Sequence, residues 1–192
     1  MKKNKGFLII SIIFITVGLI GIMSLNLIAG GFTQRSVCGL GLGMMSDIDR
    51  HFIEQMIPHH EDAVLMAELA LTKADHEELK KLAENIKSGQ SREIGEMRSW
   101  YKSWYGTEVL ESAIGGMGMM EDMTDFESLE NAKLFDKEFI EQMIPHHQMA
   151  IMMASMMLRG TEREEMKKLA QDIINTQTEE INQMSVWYSD WY

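Results

Sequence analysis

Two stretches of this chain are identical over nine residues, FIEQMIPHH at 52–60 and again at 139–147. They are the centre of a longer register. With a constant offset of 87 and no gap, KKLA at 80–83 maps to 167–170, Gln90 and Glu93 to Gln177 and Glu180, Met97 to Met184, and WYKSWY at 100–105 to WYSDWY at 187–192. An ungapped repeat of this length is one supersecondary unit written twice. A unit that must pack the same way twice narrows the fold more than composition can.

Each unit reads as two helices, with apolar residues at three- and four-residue spacing and no competing strand alternation. Ser46 with Asp49 is expected to cap the first helix, and Thr124 with Glu127 to form a capping box before its counterpart. Asp75 with Glu78, and Gly160 followed by Thr161 with Glu164, mark the two turns. Such hairpins bury their apolar stripes only against each other. The expected fold is therefore all-α, a four-helix bundle of two duplicated hairpins at 46–105 and 124–192, joined by a Gly- and Met-rich connector at 106–123. Pairing of each hairpin with one from another chain is the alternative.

The segment 1–35 stands apart. Lys2, Lys3 and Lys5 precede an apolar run over 7–29, about as long as the ~20 residues a spanning helix needs. An uncleaved transmembrane anchor is expected, with the N-terminus inside and the rest outside the cytoplasm; a cleaved signal, giving a secreted or periplasmic protein, is the alternative. Cys38 is the only cysteine and cannot staple its own domain. All 29 acidic residues but only 14 of the 18 Lys and Arg lie after residue 36. That acidic balance excludes a nucleic-acid footprint and modestly concentrates cations.

At roughly 100° per residue, His60 falls in the middle of the apolar face made by Ile53, Met56, Ala63 and Ala67, with His59 on its flank. His147 and His146 repeat this in the second unit. Pro58 and Pro145 each forfeit a backbone bond just before the histidines and are expected to kink the helix. On the partner helices Gln90, Glu93, Gln177 and Glu180 occupy rows otherwise filled by core residues. Buried polar groups cost about 1–3 kcal/mol each unless paired, so a carboxylate facing an imidazole, directly or through a metal, is the natural resolution. Any one of these residues alone reads as ordinary core. Kept twice as a set, they read as a metal site.

The chain has 19 methionines, dense at 149–157 and in the connector. Imidazole with thioether and no cysteine pair suits Cu(I), and Ag(I) as its mimic, better than Zn, Ca or Mg. Met56, His59 and His60 are expected to form one soft site, and Met143, His146 and His147 its twin. Glu93 and Glu180, with Gln90 and Gln177 beside them, would orient the imidazoles from behind. The second helix of each hairpin returns towards the start of the first. Met44, Met45 and the connector are therefore expected at the same end as both Trp-Tyr clusters, positioned to pass the ion on.

FIEQMIPHH, then LKKLAENI, a Q..EI..M pattern and a terminal W..W, resemble the family called domain of unknown function 305, in two tandem copies from about residue 47 to the C-terminus. The resemblance implies a ferritin-like fold and, through a branch similar to the CopM-type exported copper-binding proteins of bacteria, extracytoplasmic Cu(I)/Ag(I) binding and copper tolerance. By matching position it carries over Met56, His59, His60 and Met66, then Met143, His146, His147 and Met153.

The expected function is a membrane-tethered copper-binding protein without turnover, exchanging its ion with a donor or acceptor protein. A metal-free scaffold or assembly domain is the runner-up. A di-iron oxidase is a third reading, disfavoured because Glu54 and Glu141 fall away from the core and no Glu-x-x-His pair precedes the histidines. No catalytic residue is expected: no serine or cysteine has a histidine and an orienting acid in place, and no glycine run has the context of a phosphate loop.

Overall fold

The computed structural model describes residues 39–109 and 124–192, with side chains from residue 48 onward. The apolar run over 7–29, Cys38, the side chains of Met44 and Met45, and most of the connector lie outside the described residues. Among those described, no helix is long and apolar enough to cross a membrane.

The described chain is all-α: α1 Gly39–Lys73, α2 Glu77–Tyr105, α3 Phe126–Asn131, α4 Phe135–Gly160 and α5 Glu164–Trp191. α1 with α2, and α4 with α5, form two hairpins, which pack together along α1 and α4. Both first helices run through their prolines, Pro58 and Pro145.

Helix ends differ from the local reading. α1 continues N-terminal to Ser46, so that residue lies inside the helix and not at its start. Thr124 is no cap either. Its hydroxyl turns to the Met66 sulfur at 3.7 Å, while Asp125 caps the short α3 by accepting from the Ser128 N–H at 2.8 Å. α2 starts after His76 and α5 after Arg163. Gly160 belongs to the last turn of α4, where its missing Cβ matters for packing: a Cβ there would lie 2.6 Å from Cδ1 of Ile48. Gly106, at φ +71°, is the one glycine among the described residues in the left-handed region, and it closes α2 with an N–H bond to the Lys102 carbonyl.

The core divides into two apolar lobes. One combines the end of α1 and the start of α2 with the start of α4 and Met184 of α5. The other combines the start of α1 and Met97 of α2 with the end of α4 and the start of α5. The hairpins therefore stack head to tail. This corrects the placement of the aromatic clusters: Trp100 and Trp104 pack on the lobe at the start of α1, whereas Trp187 and Trp191 pack on the opposite lobe. Only the first cluster shares an end with the N-terminal part of α1. Antiparallel stacking places each cluster over the other hairpin's turn, with Trp191 stacked on His76 at 3.7 Å and the Arg163 guanidinium over Trp104 at 3.9 Å.

Candidate metal centre between the two lobes

Between the lobes lies a layer of buried polar side chains: His59, His60, Gln90, Glu93, His146, His147, Gln177 and Glu180. Helical geometry assigns their partners. Consecutive histidines diverge by about 100°, and their ring centroids stand 6.3 Å apart in both hairpins. The second of each pair faces its own hairpin: His60 Nε2 is 2.8 Å from Glu93 Oε2, and His147 Nε2 is 2.7 Å from Glu180 Oε2. The first of each pair faces the other hairpin. His59 and His146 meet with centroids 3.7 Å apart and planes tilted by 39°.

The carboxylates fix the chemistry of the inner rings. With Nε2–H donating to glutamate, Nδ1 is the ring nitrogen of His60 and of His147 that has no hydrogen-bond partner. A carboxylate behind an imidazole is the arrangement that orients and strengthens a metal-binding histidine. His59 and His146 are more exposed energetically: none of their four ring nitrogens has a partner in hydrogen-bonding geometry. Burial, then repulsion from His146, His60 and His147, holds His59 well below its ordinary range. Burial, then His147 and His60, brings His146 down to about 3. Only a weak approach to the backbone of the facing histidine offsets this. Both rings are therefore neutral at physiological pH, with lone pairs free for a cation.

Gln90 contributes an amide with both polar atoms unpartnered, and Gln177 an unpartnered oxygen. These amides and the two glutamates line a small cleft between α2 and α5, open to solvent, with Gly89 and Thr176 on its walls. The cleft is the layer's route to water.

The thioethers are placed less uniformly. Met56 and Met143 are fully buried one turn before His60 and His147, each in a different lobe. Met66, six residues beyond His60, is held by Thr124. Met153 is half-buried on the flank of its lobe. The structure thus joins all four imidazoles in one layer rather than in two separate hairpin sites. Among the described residues no three His, Cys, Asp or Glu groups converge tightly enough to hold an ion by themselves. Glu54 accepts from Arg50 and Tyr101, and Glu141 from Tyr188, so neither joins the layer.

The His59–His146 contact escaped the sequence reading. Its signal was the matching flank position of the two rings, which meets across the interface only when the hairpins stack head to tail.

Residues 49–188 match the family described as "Domain of unknown function (DUF305)". The chain belongs to the DUF305 family. The match runs through both hairpins. Solved structures of CopM, in a Cu(II)-bound and a Cu(I)-bound form, are 54% and 53% identical to this DUF305 chain, with TM-scores of 0.70 and 0.68; each alignment covers 75% of this chain and 97% of CopM. A DUF305 protein from Streptomyces coelicolor is 27% identical with a TM-score of 0.66, over 74% of this chain and 93% of that one. A curated relative, "Uncharacterized protein L153" of Acanthamoeba polyphaga mimivirus, is 46% identical over 50 residues, which are 26% of this chain and 33% of that protein. The chain thus spans about a third of that relative's length.

Proposed function

We propose that this protein binds Cu(I), with Ag(I) as its surrogate, in the polar layer between the lobes, and carries the ion without turnover. The observation behind this is the pair of buried neutral imidazoles with unpartnered nitrogens, His59 and His146. The likeness to CopM, solved with Cu(I) and with silver bound, favours the same ion class. His60 and His147 would present Nδ1 under the control of Glu93 and Glu180. Met56 and Met143 are the buried thioethers nearest in sequence; Gln90 and Gln177 line the approach. When bound, the ion would supply the positive charge that the orphaned nitrogens lack. The site is proposed to work outside the cytoplasm, tethered through the apolar run over 7–29, and to exchange its ion with a partner protein.

The metal-free scaffold reading has the two His–Glu bonds in its favour, since those are complete without an ion. It leaves His59 and His146 unexplained. The test is a competition titration of the full chain with Cu(I) against a chromogenic chelator, without oxygen. Tight binding that disappears in His60→Ala/His147→Ala, with helicity retained by circular dichroism, is the expected result. Unchanged stoichiometry in that double variant refutes the assignment.

A further inference from the structure

The methionines of α4 are not all inside. With His147 at the centre of the inward face, Met149, Met152 and Met156 fall on the opposite side of the helix and Met153 at its edge. Met152 is 49% and Met156 61% exposed, while Met149 and Met153 are half-buried. The four stand at i, i+3, i+4 and i+7, which is one continuous stripe.

Duplication makes the stripe informative. The corresponding residues of α1 are Asp62, Leu65, Met66 and Leu69, and the single thioether among them is buried and bonded to Thr124. The inward residues of the two helices are nearly the same: Ile53 and Ile140, Met56 and Met143, Ala63 and Ala150. Met149, Met152 and Met156 put thioethers on the outer face of one copy only, at positions that belong to neither apolar lobe. A face that merely had to be apolar would be served by leucine, as Leu65 serves on α1.

We infer that the outer face of α4 carries a second site for a soft monovalent cation, held by the Met152 and Met156 thioethers with Met149 or Met153 as a further donor. Side chains one turn apart have Cβ atoms about 5–6 Å from each other. Methionine's three rotatable bonds let two sulfurs converge on one ion. The thioether is a soft donor that selects Cu(I)-like ions. Open to water and built from flexible side chains, this site binds more weakly and exchanges faster than the buried layer. It rests on the preceding reading only for the class of ion.

The experiment is an Ag(I) titration of the full chain with ¹³C-labelled methionine methyls, in a non-coordinating buffer. The expected result is a second, weaker equivalent that shifts the methyl signals of Met152 and Met156 and is lost in Met152→Leu/Met156→Leu. Leucine preserves helix propensity and apolar area, so the variant removes only sulfur. Unshifted methyls and an unchanged stoichiometry in the leucine variant overturn the proposal. His60→Ala/His147→Ala separates the two sites. If that variant loses its tight equivalent and the leucine variant loses nothing, the buried site stands and the surface site falls. If only the leucine variant loses an equivalent, the surface site stands alone.

Discussion

A buried, unpaired imidazole stays neutral only at the expense of stability in acid, and His146 makes this measurable. In the unfolded chain the ring titrates near 6.5. In the folded apo protein burial brings it down to about 3, and His59 is held low in the same sense. Above pH 6.5 both states are neutral and the fold keeps its full stability. Below 6.5 the unfolded chain takes up protons that the folded chain refuses, so stability falls with pH until the folded rings also titrate. At pH 5 His146 alone should remove about 2 kcal/mol. Urea unfolding of metal-free protein at pH 7 and pH 5 is expected to show this loss, and His146→Gln should recover much of it. An identical pH slope in that variant would mean that the ring is not excluded from protons in the folded state.

The turns of the two hairpins are held by tertiary carboxylates, a device invisible to local pattern. Asp136, in the first turn of α4, accepts from the Asp75 and His76 backbone N–H groups at 3.0 and 2.9 Å and approaches His76 Nδ1 at 2.6 Å. Its counterpart Asp49 instead pairs with Arg163 at 3.2 Å and leaves Oδ1 unpartnered. Bonds to a buried charged acceptor contribute about 1.5–3 kcal/mol each, whereas the guanidinium of Arg163 is partly exposed and its pairing correspondingly screened. Asp136→Ala should therefore lower the urea midpoint by more than Asp49→Ala; equal losses would show that the backbone bonds to Asp136 add nothing. This is also why capping was misread. Thr161 does act locally, its hydroxyl accepting from the Arg163 N–H at 3.2 Å, but at Asp75 the α2 N-terminus takes its acceptor from α4, 60 residues away in sequence. Helix existence and inward face were legible because they follow from spacing within one element. His60, Glu93, Gln90 and their repeats landed where the wheel put them for that reason.

At the scale of the whole molecule, what the repeat leaves open is how the two copies face each other. Identical hairpins satisfy their apolar stripes side by side or head to tail, and nothing within one copy distinguishes the two. The head-to-tail choice turns two expected sites into one layer and sends the Trp clusters to opposite ends. It also places that layer where a continuous core would otherwise run, so the bundle gives up apolar burial at its middle. Filling a buried side chain's place with leucine recovers on the order of 1.5–3 kcal/mol, and each unsatisfied polar group removed spares about 1–3 kcal/mol. His59→Leu/His146→Leu should accordingly melt at a higher temperature than the metal-free parent, while Ag(I) shifts its melting point far less than the parent's. In the parent, a ligand that binds only the folded state raises stability with its concentration. The two readouts must move in opposite directions, because the groups that weaken the empty bundle are those that hold the ion. A double variant that melts lower than the metal-free parent would mean that the two rings stabilise the fold themselves, and the layer would then be structural.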